Sequence, residues 1–262
     1  MAMSLLGRSA ALFVLGTTGA TGVAAQDAPR RTRIAAGPQL VPRYPGYKGV
    51  VLRPFLDISR ARGDTPFIFE AADESASISV FDTERFSVGP TLSFEGSRRT
   101  RDVPGVRGVG FTVEPGLFAQ YTIAEPLRAR LELRQGIGGH KGLIGVASVD
   151  YVARDRDDWL FAIGPRVTYS NGKYQRAYFG VPVESVATSR LTAFRPGGGI
   201  QAVGGNAGFL KQLTPQWGIY VYGKYERLVD DASRSPIVRR YGSRNQWSGG
   251  LSLTYTFRGR QD

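Results

Sequence analysis

The sequence contains no cysteine and a single histidine among its 262 residues. The absence of cysteine excludes disulfide bonds and thiolate metal sites, so the fold must be stable without either. The one histidine, His140, lies in "GIGGHKGL" and has no obvious nucleophile or carboxylate partner nearby in the sequence. No phosphate-binding loop, metalloprotease motif or G-x-S-x-G elbow occurs either. We therefore interpret His140 as structural, and we predict no enzymatic activity, no metal and no cofactor.

Long hydrophobic runs are also missing, apart from a short one near the N-terminus. There, Arg8 precedes the apolar stretch 10–16, and the small residues Val23, Ala24 and Ala25 follow. The stretch is shorter than the roughly 20 residues of a membrane-spanning helix, which disfavours the alternative of an anchor helix. The pattern predicts a Sec-type signal peptide over residues 1–25 and an exported chain over residues 26–262.

Alternation of apolar and polar residues is abundant, in a chain with 34 glycines, 14 phenylalanines and 12 tyrosines. A period of two predicts β-strands with one apolar and one polar face, as in "LRARLELR" at 127–134. Twelve strands are predicted, at 33–44, 50–59, 67–72, 77–82, 86–95, 109–121, 127–134, 143–154, 159–169, 199–213, 217–227 and 247–257. The even count depends on reading 67–72 and 77–82 as two separate strands.

The connections between these strands differ in length in a regular way. Short turns such as "IAEP" and "LTPQ" fall on one side of the sheet, and the long segments 96–108, 171–199 and 230–246 fall on the other. This asymmetry, with aromatic residues at strand ends, is typical of outer-membrane barrels. It predicts an all-β protein with a single closed antiparallel transmembrane barrel of about 12 strands, in the outer membrane of a Gram-negative bacterium. A soluble β-sandwich is the alternative, but it gives no reason to keep the long loops at one end.

Five prolines fall in the middle of predicted strands. Proline cannot donate a hydrogen bond to a β-ladder, and it is usually confined to edges and bulges. A closed barrel has no edge, so the sequence predicts a local bulge at each position. The five are Pro38, Pro54, Pro90, Pro115 and Pro165.

Charged residues occupy the polar phase of several strands, which would line the lumen of a barrel. They are Arg128, Arg130, Glu132, Arg134, Arg166, Lys224 and Glu226. Such side chains set the charge selectivity of a pore, or they pair with one another and fill a narrow barrel. Because the side chains are long and of both signs, we favour a narrow or occluded lumen.

The formal net charge of +12 raises the question of a polyanionic partner. Export disfavours nucleic acid as the partner and favours lipopolysaccharide phosphates. We predict such contacts from arginines in the long loops, since arginine suits bidentate phosphate binding; solvated loop charge is the alternative. The candidates are Arg98, Arg99, Arg101, Arg239, Arg240 and Arg244.

The last predicted strand presents its apolar phase to lipid in a barrel. That phase consists of Trp247, Leu251, Leu253, Tyr255 and Phe257. The strand resembles the terminal signal that the outer-membrane insertion machinery recognises, although the tail "RGRQD" follows it here.

Several segments resemble the MipA/OmpV family of outer-membrane proteins: "FDTERFSVGP", "LELRQGIGGHKGLIG", "YFGV" and "SPIVRRYGSRNQWSGGLSLTYTF". The motif residues are Tyr178, Phe179, Gly180, Val181, Ser235, Pro236, Ile237, Val238, Gly242, Ser243, Asn245 and Gln246. The segment before "YFGV" is basic and neutral here, whereas family members tend to have acidic residues there.

The resemblance implies an outer-membrane barrel without catalytic residues. It also implies a structural role, as a scaffold that links peptidoglycan-remodelling enzymes, a lytic transglycosylase and a murein synthase, to the outer membrane. The basic stretch "RRTR" at 30–33 is a candidate periplasmic contact. A narrow channel and a surface adhesin are the alternatives.

Overall fold

The computed structural model describes residues 28–258, so the predicted signal peptide and the last four residues lie outside the described part. Ten long strands dominate it: β1 (Arg30–Val41), β2 (Val51–Arg62), β5 (Phe86–Glu95), β6 (Thr112–Ala124), β7 (Leu127–Gln135), β9 (Leu143–Asp155), β10 (Trp159–Ser170), β11 (Gly199–Gln212), β12 (Trp217–Leu228) and β13 (Asn245–Arg258). Three two-residue strands complete the sheet: β3 (Ala76–Ser77), β4 (Phe81–Asp82) and β8 (Ile137–Gly138).

All 13 strands belong to one antiparallel sheet that curls around a buried interior. Its order is β2-β1-β13-β12-β11-β10-β9-β7-β6-β5-β3, with β4 also on β5 and β8 on β6. The first and last long strands along the chain are therefore neighbours, and Ala35 of β1 lies opposite Thr254 of β13. The two ends of the path are β2 and the short strands β3 and β4.

Two of the predicted strands differ from the structure. The stretch 67–72 is not a strand, because it lies inside the curled sheet and its carbonyl groups accept hydrogen bonds from arginine side chains instead of from a neighbouring strand. The stretch 77–82 survives only as the fragments β3 and β4 on β5, joined by backbone hydrogen bonds from Ile78 and Val80 to that strand. The other ten predicted strands correspond to long strands of the sheet.

The sheet exposes its apolar side chains on the outside and buries its polar side chains inside, which is the reverse of a soluble protein. In β7, Leu131 is 56% exposed, whereas its neighbour Arg130 is 5% exposed. In β10, Phe161, Ile163 and Val167 are likewise exposed, while Arg166 is buried. An exposed apolar exterior around a buried polar interior is the arrangement expected of a protein that meets lipid.

The connections divide the molecule into two ends. At one, the turn end, β6 and β7 are joined by Glu125–Pro126, β9 and β10 by 156–158, and β11 and β12 by 213–216. At the other, the loop end, lie the connections 42–50, 96–111, 171–198 and 229–244. The predicted asymmetry is therefore confirmed for these connections, since antiparallel neighbours place all of these long loops on one side. The connection 63–85 between β2 and β5 is the exception, because it is long and begins and ends at the turn end.

The predicted bulges at the five mid-strand prolines are wrong. Pro38 lies directly opposite Pro54, and Pro165 lies opposite Gly205, in continuous register. The register shifts of the sheet occur elsewhere, after Thr122 and Thr168. A proline removes one hydrogen-bond donor from the ladder without adding a residue, so the pairing is interrupted locally while the register is kept.

The helices of the structure all lie in the connections at the loop end. They are α1 (Gly172–Phe179), α2 (Val186–Ser189), α3 (Asp230–Arg234) and α4 (Pro236–Tyr241). None of the helices within residues 28–258 combines the length and the apolar character needed to cross a membrane. Their apolar side chains join two buried clusters, so the loops form a compact layer, which we call the cap.

Candidate functional site

Residues 66–75, which we call the lumenal segment, reach into the interior of the curled sheet, where Phe67 and Ser75 are buried, whereas Ile68 and Glu70 stay exposed beside β2. The segment follows β2 and is tied to the opposite wall through its backbone. The amide of Phe67 donates to Asp157 at 3.0 Å, and the carbonyl of Phe67 accepts from Arg154 at 2.9 Å. Arg128 donates to the carbonyl of Phe69 at 2.9 Å. These bonds replace the β-ladder that the sequence pattern predicts for this stretch.

Asp73 is the most heavily bonded residue of the lumenal segment. Its carboxylate accepts two hydrogen bonds from Arg166, at 3.0 and 3.2 Å, and one from Asn206 at 2.7 Å. The ammonium of Lys224 lies 3.3 Å away. Burial favours the neutral acid, but the positive charges of Lys224 and Arg166 outweigh that effect and hold the pKa of Asp73 well below its usual range. Asp73 is therefore ionised at neutral pH.

The next two residues continue the network toward β7. Glu74 pairs with Arg128, which also binds Asp150 at 2.8 Å. The hydroxyl of Ser75 donates to Glu132 at 2.6 Å and accepts from Arg134 at 2.6 Å. The arginines of β7 and β10 on this wall thus each meet an opposite charge, either from the lumenal segment or from the wall itself.

All the charged residues predicted to line the lumen face the interior. Arg128, Arg130, Glu132, Arg134 and Arg166 are buried, and Lys224 and Glu226 are partly buried and paired with each other at 3.0 Å. The ion-paired interpretation therefore fits the structure better than a ring of unpaired charge. Sequence reasoning missed Asp73 and Glu74 as members of this network. The signal was present in "AADES", whose acidic residues break an otherwise apolar alternation.

The cap closes the loop end over the lumenal segment with an apolar core. Tyr174, Tyr178 and Phe179 of the α1 region have no exposed surface, and they pack with Val238 and Leu228. A second cluster joins Val103, Val106, Val181, Leu191 and Ile237. Burial raises the pKa of both Tyr174 and Tyr178 far above its usual range, so neither tyrosine ionises near neutral pH.

The motif segments that carry the family resemblance meet inside the cap. The hydroxyl of Ser235 donates to the carbonyl of Phe179 at 2.7 Å and accepts from the amide of Ile237 at 3.2 Å, which caps α4. Gln246 accepts from the amide of Gly46 at 3.0 Å and so holds the connection 42–50 in place. A side chain on Gly242 would overlap the carbonyl oxygen of Gly46. The motif residues therefore build the cap.

His140 is buried beneath the cap and has the partner that its sequence neighbourhood lacks. Its Nε2 lies 2.8 Å from a carboxylate oxygen of Glu114, and its Nδ1 accepts from the amide of Gly142 at 3.0 Å. With Nδ1 accepting, Nε2 carries the proton that it donates to Glu114. The ring of Tyr174 stands edge-on at 4.5 Å. Both ring nitrogens are thus engaged in local contacts, which fits the structural interpretation.

The prediction that Arg98 contacts lipopolysaccharide is wrong. Arg98 is 2% exposed and donates to the carbonyls of Tyr178 and Arg107, at 2.6 and 2.9 Å, so it ties two loops together inside the cap. Its burial rules it out as a surface contact. The remaining candidates are exposed on the cap: Arg99, Arg101, Arg239, Arg240 and Arg244.

The apolar phase of the last strand faces outward, as predicted. Trp247, Leu251, Leu253 and Phe257 are each more than half exposed, whereas Ser252, Thr254 and Thr256 are buried. Tyr255 is partly exposed because Trp217 packs edge-on against it at 4.7 Å. At the opposite end of the strand, Trp247 packs on Tyr225 at 4.4 Å. Aromatic pairs therefore mark both ends of the exterior face.

Comparisons with known proteins give one family match and several distant structural likenesses. No curated protein sequence matches the chain. Among solved structures, a KdgM porin is 14% identical with a TM-score of 0.39, and the alignment covers 87% of this chain and 99% of the porin. An outer membrane channel from Pseudomonas putida F1 is 10% identical (TM-score 0.45; 88% and 96% covered). The outer membrane protein OprG from Pseudomonas aeruginosa is 10% identical (TM-score 0.28; 88% and 97% covered). The profile of the family described as "MltA-interacting protein MipA" matches residues 34–257.

Proposed function

The chain belongs to the MipA family of MltA-interacting proteins, and from that premise we propose that it is a non-conducting outer-membrane barrel that acts as a scaffold. The observation that carries the proposal is the combination of an apolar exterior with an interior filled by the lumenal segment. The first suits a lipid environment, and the second disfavours transport as the main activity.

Insertion of the curled sheet in the outer membrane is supported by several of its features. The long strands have 9 to 14 residues, and about 9–11 suffice to cross a bilayer when tilted. Aromatic pairs at both ends of the β12–β13 pair match the girdles at membrane interfaces. Outer-membrane barrels have short turns on the periplasmic side and long loops outside. We therefore place the turn end in the periplasm and the cap on the outside.

The scaffold role is inferred from the position of the accessible polar surface, which lies at the two ends of the molecule. A filled lumen leaves the two ends as the functional surfaces, and the periplasmic turn end is the one that peptidoglycan enzymes can reach. Exposed charges there include Arg60, Arg62 and Arg156, beside Asp155 and Asp158. We infer that the partner is a lytic transglycosylase of the MltA type, together with a murein synthase, and that the chain has no catalytic activity of its own.

Binding of a purified MltA-type lytic transglycosylase to the barrel in nanodiscs tests the scaffold role. Charge reversal at the turn end, Arg60→Glu with Arg62→Glu, should weaken binding at least fivefold, because it changes the surface that faces the partner. The matched control, Arg239→Glu with Arg240→Glu on the cap, should leave binding unchanged. An envelope pull-down that recovers neither a transglycosylase nor a murein synthase would contradict the role.

The cap is the surface through which the protein meets the outer leaflet. Arg239, Arg240 and Arg244 are exposed there, which suits contact with lipopolysaccharide phosphates or, in the adhesin alternative, with an external anionic surface. Loss of lipopolysaccharide-dependent stabilisation in an Arg239→Gln, Arg240→Gln variant is the expected result. Identical melting with and without lipopolysaccharide would overturn this assignment.

A narrow channel is the second candidate function, favoured by one observation. A cavity of about 180 Å³ lies between the lumenal segment and the cap, and its lining includes Arg134, Thr168, Lys224 and Glu226. Movement of the lumenal segment would connect this space to the turn end. Single-channel recording distinguishes the candidates, since a scaffold with a fixed segment is silent.

A further inference from the structure

A groove lies at the seam between the two ends of the sheet, and the proposed scaffold role does not involve it. β2 pairs only with β1, and its other edge faces the lumenal segment. A groove of about 320 Å³ lies along this edge. Unpaired backbone groups at a membrane-facing edge are costly unless a polar partner satisfies them. The seam is therefore the place in the described wall where a polar ligand would be stabilised beside lipid.

The outer lip of the groove is apolar. Leu56, Ile58 and Ile68 line it, and their side chains are 68%, 47% and 58% exposed. Leu56 and Ile58 lie on the outward phase of β2, and Ile68 belongs to the lumenal segment that faces them. This lip matches an acyl chain that approaches from the bilayer.

The inner wall of the groove carries charges of both signs. Arg33 is 8% exposed, and its guanidinium stacks over the ring of Phe67 at 4.5 Å. Within residues 28–258 the side chain of Arg33 makes no hydrogen bond and no ion pair, although it lines the groove. Asp57 and Glu70 line the same groove from opposite sides, and neither has an ion-pair partner among the described residues. Asp57 accepts only from Ser59, at 3.1 Å.

The charges of the groove lie at the level of the membrane at which lipid head groups are found. Along the outward phase of β2, apolar residues end at Ile58 and Arg60 follows, which marks the polar interface at the turn end. Arg33 lies opposite Ser59, one residue from the level of Arg60. The guanidinium thus lies near the periplasmic interface, and the lip of Leu56 and Ile58 extends from it toward the middle of the bilayer.

We propose that this groove binds a phospholipid with a primary ammonium head group. The phosphodiester pairs with Arg33, the ammonium lies between Asp57 and Glu70, and an acyl chain runs along Leu56, Ile58 and Ile68. The presence of one buried cation and two carboxylates in the same groove is what favours a zwitterionic head group over an anionic one. This inference rests on the membrane-spanning orientation in the proposed function, and it is independent of the scaffold role.

The absence of native cysteine makes a single reporter thiol straightforward to introduce. A bimane label on Leu56→Cys reports the lip of the groove, and one on Leu131→Cys reports the exterior far from the seam. The protein is reconstituted in vesicles that contain a small fraction of acyl-brominated phosphatidylethanolamine or, separately, brominated phosphatidylglycerol. Bromine quenches bimane on contact, so quenching measures local lipid occupancy.

We expect Leu56→Cys to be quenched by the ethanolamine lipid at about fivefold lower mole fraction than by the glycerol lipid, which corresponds to about 1 kcal/mol of preference. Leu131→Cys should show no preference. Adding Asp57→Asn and Glu70→Gln should abolish the preference at the groove, while Arg33→Gln should weaken quenching by both lipids. A Pro54→Cys label is a second reporter on β2, in case the first variant does not fold.

Equal quenching by both lipids at the groove and at Leu131→Cys would overturn the proposal, because it would show ordinary boundary lipid. The heat-modifiable gel shift of each variant is recorded first. A protein that gives no shift and stays outside the membrane contradicts the proposed function itself, and the groove assignment falls with it. A protein that inserts but shows no preference contradicts only the groove assignment.

Discussion

The lumenal segment and the cap, which lie within and over the curled sheet, are held in place by opposite means. The cap packs fully buried aromatic and aliphatic side chains, such as Tyr178 and Phe179, around a few hydrogen bonds. The lumenal segment is held by charge, with Asp73 between Arg166 and Lys224 and Glu74 beside Arg128. The cap therefore resembles the core of a soluble domain, whereas the segment resembles a ligand bound in an ionic site.

This difference predicts different sensitivities. A packed core responds to lost volume, and it is insensitive to pH where its groups do not titrate. A buried ionic site tolerates small changes of shape, but it responds strongly when one partner of a pair is removed. The following variants separate the two regions, from the largest expected effect to the smallest.

Phe179→Ala should have the largest effect, and it should act on the cap. Removing a fully buried phenylalanine leaves a cavity and costs about 3–5 kcal/mol. Urea unfolding in vesicles and protease cleavage of 171–198 measure the loss. The control Val183→Ala removes an exposed side chain and should change stability by less than about 0.5 kcal/mol. Equal effects of the two variants would contradict the packed cap.

Asp73→Asn should release the lumenal segment and leave the cap intact. The loss is about 3 kcal/mol, at the low end for a broken buried pair, because Arg166 keeps Asp150 and Lys224 keeps Glu226. Increased accessibility of a thiol at Ser77→Cys, in the otherwise cysteine-free chain, measures the release. Asp158→Asn, which breaks only the exposed pair with Lys211, is the matched control and should have no effect.

Acid should loosen the lumenal segment before it affects the cap. The pKa of Asp73 is lowered in the folded protein, so its ionised form contributes stability above the ordinary aspartate pKa of about 4, and this contribution is lost as the pH falls toward the lowered value. Thiol accessibility at Ser77→Cys should therefore stay constant from about pH 8 to 5 and rise only below about pH 4. A rise centred near pH 7 would be inconsistent with a paired Asp73.

Ser235→Ala should have the smallest effect of the set, confined to the cap. The variant removes a buried hydroxyl that bonds the carbonyl of Phe179 and the amide of Ile237, at a cost of about 1–2 kcal/mol. Ser233→Ala is the control, because that hydroxyl bonds only the nearby carbonyl of Asp230 at the surface. A cost for Ser233→Ala equal to that for Ser235→Ala would argue against the cap as one packed unit.

Much of the sheet could be predicted from the sequence, because the period of two is a local signal. The alternation in 127–134 and 247–257 gave both the strands and the outward direction of their apolar residues. The lengths of the connections gave the two ends of the molecule. The prolines misled the prediction, since a missing donor interrupts a ladder without a change of register.

The interior could not be predicted, because it depends on contacts between residues far apart in the chain. The segment 67–72 alternates like a strand, and only its position inside the sheet shows that its backbone bonds to arginine side chains. Asp73 and Asn206 are separated by 133 residues but lie 2.7 Å apart. Arg98 likewise lies in a long polar loop, where the sequence predicts an exposed arginine. Its burial follows from the packing of two loops around it.

Single-channel recording in planar bilayers tests the central claim, which is that the lumenal segment blocks the interior of the curled sheet. The wild-type protein should be silent, whereas a variant with Asp73→Ala and Glu74→Ala should conduct, because the two ionic anchors of the segment to the wall are removed. The cap variant Phe179→Ala should remain silent while the segment stays bound. Steady conductance of the wild-type protein, at the level of the double variant, would contradict the account.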